Sequence, residues 1–166
     1  MLLRSFFAHL IGTVGYVGHI RPAPGTWGSL AALPLGWAIA SLGGSILFGV
    51  ALLVGFAKGV WATKIMTAGT DDHDPSIIVI DEVIGQWIAL LPVIIGAQAA
   101  GADLLTSWPG WIAAFALFRL FDIWKPWLVG MADRRHDHWG VMLDDVIAGI
   151  FAALWVIVLA ALAHAL

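Results

Sequence analysis

Long apolar runs separated by short polar segments occupy most of the chain. The runs lie at about residues 29–42, 45–63, 76–95, 110–127 and 141–164. A helix that spans a bilayer needs roughly 20 apolar residues, with a range of about 17 to 25, so the last four runs are long enough to cross. The first run contains Pro34 and Gly36 and ends at Gly43-Gly44. It predicts either a short tilted span or a re-entrant half-helix.

The composition agrees with a membrane protein. Hydrophobic residues make up 61% of the 166 and charged residues only 11%, whereas a soluble domain carries about 25% charged residues. The chain has no Cys, which excludes disulfides and thiolate metal ligands. We therefore predict an all-α, polytopic integral membrane bundle of four to five hydrophobic helices. It forms a single domain over residues 1–166 and begins with an N-terminal interfacial segment.

The basic residues indicate how the helices are oriented. If the N-terminus is cytoplasmic and each run crosses once, every Lys and Arg falls on or near the cytoplasmic side, while the opposite loops, near residues 42–45 and 96–109, contain none. This is the positive-inside pattern. The same alternation places five carboxylates near the cytoplasmic ends of three helices. They are Asp81, Glu82, Asp122, Asp144 and Asp145.

Asp81 and Glu82 are the most unusual of these residues, because they lie inside an apolar run. An ionised carboxylate within a membrane costs on the order of 3 kcal/mol by insertion scales, so such residues are candidate functional groups. The four-residue spacing of a helix puts Asp81 on one face with Gly85, and Glu82 on one face with Gln86. The structural alternative is an ion pair with a Lys or Arg of a neighbouring helix.

Two acidic segments also have an interpretation as helix starts. Asp74 precedes Pro75, a combination typical of a helix N-cap followed by the first helical residue. Asp144 and Asp145 are placed at the start of the last apolar helix, where the macrodipole favours each by roughly 0.3–1 kcal/mol. They point about 100° apart, so one can solvate the helix start while the other faces the bundle.

Basic groups and a glycine-bearing turn accompany the carboxylates. Arg119 and Asp122 are three residues apart on one helix face, and Lys125 is predicted one turn further on. Both cations suit a phosphate, although an intrahelical pair and a snorkelling lysine are the simpler interpretation. The segment RPAPGTWGSL brings Thr26 and Ser29 to a helix start, where backbone N–H groups can bind an anion; Ser29 could equally be an ordinary N-cap.

Together, these groups predict a divalent-metal phosphate site at the membrane surface. Hard oxygen ligands and the absence of Cys favour Mg²⁺ over Zn²⁺. We interpret His136 and His138 as part of a solvated loop. We expect no nucleic-acid partner.

Four segments then carry a resemblance to a known family. PGTWGSL, DPSIIVIDEVIGQ, FRLFDIWKP and GVMLDDVIAG are similar to sequence hallmarks of the phosphatidylglycerophosphatase A family, over about residues 24–149. The resemblance implies a Mg²⁺-dependent lipid phosphatase of the bacterial inner membrane, with its active site facing the cytoplasm. Such an enzyme removes the terminal phosphate of phosphatidylglycerophosphate and leaves phosphatidylglycerol.

The residue chemistry is compatible with that activity. We expect one or two Mg²⁺ ions to bind the phosphate oxygens and to activate water. Their ligands would be Asp81, Glu82, Asp122 and one of the adjacent pair Asp144 and Asp145, with Asp145 preferred. The phosphate would be steadied by Lys125, Arg119, Thr26 and Ser29. An aspartyl-phosphate intermediate is an open alternative.

Other functions remain as alternatives at this point. A CDP-alcohol phosphotransferase also uses intramembrane Asp residues and Mg²⁺, but its D-G…A-R…G…D…D series is not found. A small ion or proton transporter should have acidic groups distributed in depth, whereas these cluster on one side. A non-catalytic scaffold would leave the clustering of the carboxylates unexplained.

Overall fold

The chain folds into helices joined by short segments. A computed structural model describes residues 2–70, 72, 74–135 and 137–165, and no strand occurs among them. The helices are α1 (Leu2–Gly12), α2 (Pro24–Met66), α3 (Ile80–Ala99), α4 (Trp108–Trp124), α5 (Leu128–Asp133) and α6 (His138–Ala165). Within these residues, four helical stretches are long and apolar enough to cross a membrane. Three of them are α2, α3 and α6, and the fourth is α4 together with the helical turn that precedes it, Leu104–Trp124. The predicted all-α membrane bundle is confirmed.

Helix α2 folds back on itself at Gly43 and Gly44, whose backbone is not helical; Gly44 has a φ of 63°, a conformation that glycine adopts without strain. Gly28 and Gly59, one from each half, both pack at the start of α3. At the other end of α3, the Ser45 amide donates to Gln98 Oε1 at 2.8 Å. Both halves therefore run the length of α3, which favours a spanning first segment over a re-entrant one.

Helix α3 lies in the centre of the bundle, and most of its side chains are buried against α2, α4 and α6. Its close contact with α6 depends on glycine. A Cβ on Gly149 would overlap the Gly85 carbonyl oxygen, and one on Gly85 would come within 2.6 Å of the Asp145 carbonyl oxygen. Small residues at a membrane-helix interface let backbones approach closely. This approach brings Asp145 beside the start of α3.

The predicted helix start at Asp74 is wrong. Helix α3 begins six residues later, at Ile80, and Val79 precedes it without a side-chain cap. The intervening segment is held in a non-helical path, because the Val79 amide donates to the Gly12 carbonyl of α1 at 2.8 Å. Tertiary packing thus overrides a local start signal, and Asp81 and Glu82 lie in the first turn of α3.

Two further helix boundaries differ from the prediction. Helix α4 ends at Trp124, so Lys125 does not lie on the helix face of Arg119. The backbone of Lys125 adopts φ 48° and ψ 53°. Lys125 precedes Pro126, and the proline ring disfavours the α-helical conformation of the residue before it. Helix α6 begins at His138, and the Gly140 amide donates to Asp137 Oδ1 at 2.8 Å.

The start of α6 at His138 means that Asp144 and Asp145 lie in its second turn, so their interpretation as helix caps is wrong. Ser29 is not a cap either, since α2 already begins at Pro24. His138 is helical and not in a loop, and His136 lies outside the described residues.

Candidate active site

Three carboxylates from two helices meet at one end of the bundle. Asp81 and Glu82 come from the first turn of α3 and Asp145 from the second turn of α6, and one oxygen of each lies within 4.8 Å of the others. Asp81 and Asp145 are only 6% and 4% exposed. Among the described residues, Glu82 Oε2 is buried without a hydrogen-bond partner. The cluster therefore has oxygen ligands directed at a shared space.

Helix α4 adds Arg119 and Asp122 to this cluster. Arg119 Nη1 lies 2.5 Å from Asp122 Oδ2 and 3.4 Å from the Ser29 hydroxyl of α2, so the predicted Arg119–Asp122 pair is confirmed. Asp122 also lies close to Glu82 and Asp145. Arg119 Nε is buried and has no partner among the described residues. The guanidinium is thus fixed beside the carboxylates through Nη1.

The start of α2 closes the same side of the cluster. A Cβ on Gly25 would overlap Glu82 Oε1 and would lie 3.4 Å from Arg119 Nη1, so the lack of a side chain at Gly25 makes room for the Glu82 carboxylate in this position. The buried Ser29 hydroxyl donates to the Gly25 carbonyl at 2.9 Å and also receives the Arg119 contact. Thr26 is in the first turn of α2, and no side-chain hydrogen bond joins it to the carboxylates in the described part of the chain.

A second polar group lies next to the first. Lys125 Nζ is 3.0 Å from Asp144 Oδ2 and also pairs with Asp133 of α5. Partial burial acts against the charge of Lys125, but its hydrogen bonds with Asp133 and Asp144 raise the pKa of the lysine above its ordinary value. Asp74 lies near this group. Asp144 therefore faces a lysine, whereas its neighbour Asp145 faces the cluster of Asp81 and Glu82.

Comparison with known proteins identifies the family. A sequence model described as Phosphatidylglycerophosphatase A matches residues 10–160, a range that includes every carboxylate described above. The chain belongs to the phosphatidylglycerophosphatase A family. The predicted identity as an enzyme of this family is therefore confirmed.

Curated relatives share much of the sequence. Phosphatidylglycerophosphatase A from Haemophilus influenzae is 40% identical over 88% of this chain and 84% of its own length. The protein of that name from Escherichia coli K12 is 36% identical over 87% and 78%. A Bacteroides thetaiotaomicron protein named "Putative phosphatidylinositol-3-phosphatase" is 39% identical over 92% and 97%. No solved structure matches the chain.

In this member of the phosphatidylglycerophosphatase A family, the predicted site residues other than Thr26 divide into two groups. One contains the residues around the shared space, and the other contains Lys125 with Asp144. Sequence reasoning missed Asp133, which belongs to the short helix α5, and assigned no role to the fully buried Gln86. The signal for Gln86 was available, since it follows Glu82 by four residues. The first group contains Asp81, Glu82, Asp122, Asp145, Arg119 and Ser29.

The donor atoms of the first group fit a hard divalent cation. Four carboxylates lie near a single guanidinium, and two ionised carboxylates within 4.8 Å of each other repel by at least about 3 kcal/mol at an effective dielectric constant near 20. Negative charges buried in this way need a compensating cation. Carboxylate oxygens are the ligands that Mg²⁺ prefers, and the unpartnered Glu82 Oε2 is available for this purpose.

Proposed function

We propose that the protein is a Mg²⁺-dependent phosphatidylglycerophosphatase. The net reaction adds water across the terminal phosphate monoester of phosphatidylglycerophosphate, so that the phosphorus–oxygen bond to the lipid breaks, the lipid oxygen takes a proton, and phosphatidylglycerol and inorganic phosphate are released. The observation that carries the proposal is the convergence of the Asp81, Glu82 and Asp145 carboxylates in a chain of this family.

The metal ligands in this proposal are Asp81, Glu82 and Asp145, with Asp122 beside them. A divalent cation bound there would supply charge neutralisation for the phosphate oxygens and a water of lowered pKa. The residues of the chain hold these groups in fixed positions: Gly25 packs against one oxygen of Glu82, while α3 and α6 are held together at Gly85 and Gly149.

Arg119 is the phosphate-binding group that this geometry favours. Its guanidinium is held beside the carboxylates by Asp122 and Ser29 through Nη1, and arginine suits phosphate oxygens because its donors form a planar fork. Lys125 stays a prediction as a second phosphate contact, since its ammonium is engaged by Asp133 and Asp144. Thr26 likewise stays a prediction.

The clustering of carboxylates at one end of the bundle supports an enzyme over a transporter. A proton or ion pathway needs polar groups through the depth of the membrane. The far end of α3 instead uses its polar side chain, Gln98, to hold the turn between the halves of α2. This contrast leaves the carboxylates as a localised site.

Inorganic phosphate release by purified, detergent-solubilised protein tests the proposal. We expect release from phosphatidylglycerophosphate that stops with EDTA and returns with Mg²⁺. The variants Asp81→Asn and Glu82→Gln, which remove charge at nearly constant volume, should each lower turnover by more than about 100-fold, since even a group behind a metal ligand affects activity by 10- to 100-fold.

The matched control is Asp103→Asn, which makes the same change in charge at an exposed residue between α3 and α4. It should keep parental turnover. Phosphatidylinositol 3-phosphate and phosphatidic acid, tested in parallel, separate the proposed substrate from other lipid phosphomonoesters. Turnover within twofold of the parent in both site variants, or a clear preference for another lipid, would contradict the proposal.

A further inference from the structure

Gln86 is an unusual residue for the centre of a membrane bundle. Its side chain is fully buried, and neither its Nε2 nor its Oε1 has a partner within the described ranges. Burial of an unsatisfied amide costs roughly 1–3 kcal/mol by protein mutational data. An apolar side chain of similar size would not carry this cost. The amide is therefore not explained by packing.

Two other polar side chains of α3 form hydrogen bonds that hold this helix against α2. The next residue, Trp87, donates from Nε1 to the Ala32 carbonyl at 2.9 Å. Gln98, at the far end of α3, accepts from the Ser45 amide at 2.8 Å. Both contacts join α3 to α2. Gln86 makes no such contact, so a helix-joining role does not account for it.

The position of Gln86 connects it to the carboxylate cluster. It follows Glu82 by four residues, so the two side chains are neighbours on one face of α3. Glu82 Oε1 packs against Gly25, and Glu82 Oε2 is buried without a partner. An unpartnered amide donor thus lies one helical turn from an unpartnered carboxylate acceptor.

We propose that Gln86 is a positioning residue for Glu82. Its Nε2 donates to Glu82 Oε2 through one bridging water, and so fixes the carboxylate in the orientation that binds a divalent cation. The inference rests on the proposed function, in which Glu82 is a metal ligand. Groups that hydrogen-bond to metal ligands orient them, and their removal lowers metal affinity by about 10- to 100-fold.

The test measures metal binding and stability in the full chain. Gln86→Met removes the amide at similar volume. Titration with Mn²⁺ alone, followed by electron paramagnetic resonance in detergent, should give a dissociation constant about 10- to 100-fold higher than that of the parent. The midpoint of thermal unfolding in EDTA is measured beside it, so that a loss of metal affinity is not mistaken for a loss of the fold.

Gln98→Met is the matched control, since it makes the same substitution in the same helix at a glutamine that has a structural partner. It should lower the unfolding midpoint and leave Mn²⁺ affinity unchanged. If Gln86→Met does not fold, Gln86→Asn replaces it, because the shorter side chain keeps the amide but loses its reach.

The outcomes separate the inference from the function on which it rests. Weaker Mn²⁺ binding by a folded Gln86 variant supports the positioning role, and unchanged affinity overturns it. A parent protein that binds no Mn²⁺ overturns the metal site itself and with it the proposed function.

Discussion

Lys125 links three elements through two ion pairs. It follows the last residue of α4, pairs with Asp133 of α5 and lies 3.0 Å from Asp144 of α6. Asp144 is 7% exposed, and its other oxygen is buried without a partner in the described part of the chain. Removal of one member of a buried pair leaves an uncompensated charge, which destabilises a protein more than removal of both.

We therefore expect Lys125→Met to lower the midpoint of thermal unfolding, with a loss of roughly 1–3 kcal/mol, less than for a fully buried pair because the lysine is partly exposed. Asp144→Asn in the same chain should restore part of that loss, since it removes the unpaired charge. Thermal unfolding of the two single variants and the double variant measures the coupling. If the stability losses of the two single variants simply add in the double variant, the pair contributes nothing. Lys64→Met, at an exposed site, is the control.

The sequence predicted which carboxylates lie at the candidate site better than it predicted the ion pairs around them. The apolar runs and the distribution of Lys and Arg placed Asp81, Glu82 and Asp145 at one depth, because the ends of spanning helices alternate between two surfaces. The same pattern could not show that Lys125 leaves the helix before Pro126. Nor could it show Asp133, because the apolar stretch of α5 is only six residues long and is too short to be recognised as a spanning helix.

At the scale of the elements, glycine determines how closely α3 and α6 approach. Gly85 faces Asp145 and Phe118, and Gly149 faces Gly85. A larger side chain at this crossing would separate the two helices that carry the proposed metal ligands. The distance between the helices and the geometry of the carboxylates are therefore coupled.

Gly85→Ala should destabilise the protein by about 1–3 kcal/mol through overpacking and weaken Mn²⁺ binding, because it moves Asp145 away from Glu82. Gly96→Ala is the matched control on the same helix, since a Cβ there meets nothing within 4 Å. It should be neutral or slightly stabilising, as alanine favours a helix over glycine by up to about 1 kcal/mol. Thermal unfolding and Mn²⁺ titration of both variants check this, and equal effects of the two substitutions would contradict it.

At some helix boundaries, tertiary packing overrides the local sequence signal for where a helix begins. Residues Asp74 and Pro75 form a favourable helix start, yet the chain stays non-helical until Ile80 because Val79 bonds to Gly12 of α1. The sequence contains no mark of a contact between residues so far apart. The beginning of α2 at Pro24, by contrast, follows the ordinary preference for proline in the first turn.

At the scale of the whole molecule, charge is distributed unevenly between the two ends of the bundle. The carboxylate end includes the start of α2, the end of α4 and the start of α6, where Arg21, Lys125 and Arg135 lie. The opposite connection between α3 and α4 has no Lys or Arg. Basic residues in short loops favour the cytoplasmic side. We therefore expect the carboxylate end to face the cytoplasm. The organisation of the chain as a single domain is a separate prediction that also remains untested.

Labelling of single cysteines tests this orientation without background, because the chain contains no Cys. Ala100→Cys lies at the exposed end of α3, and Arg134→Cys at the exposed end of α5. In right-side-out inner-membrane vesicles, a membrane-impermeant maleimide should label Ala100→Cys at once and Arg134→Cys only after the vesicles are opened. Inside-out vesicles provide the control and should give the opposite order. If Arg134→Cys is instead labelled in closed right-side-out vesicles, the site faces away from the cytoplasm, and the positive-inside assignment fails for this bundle.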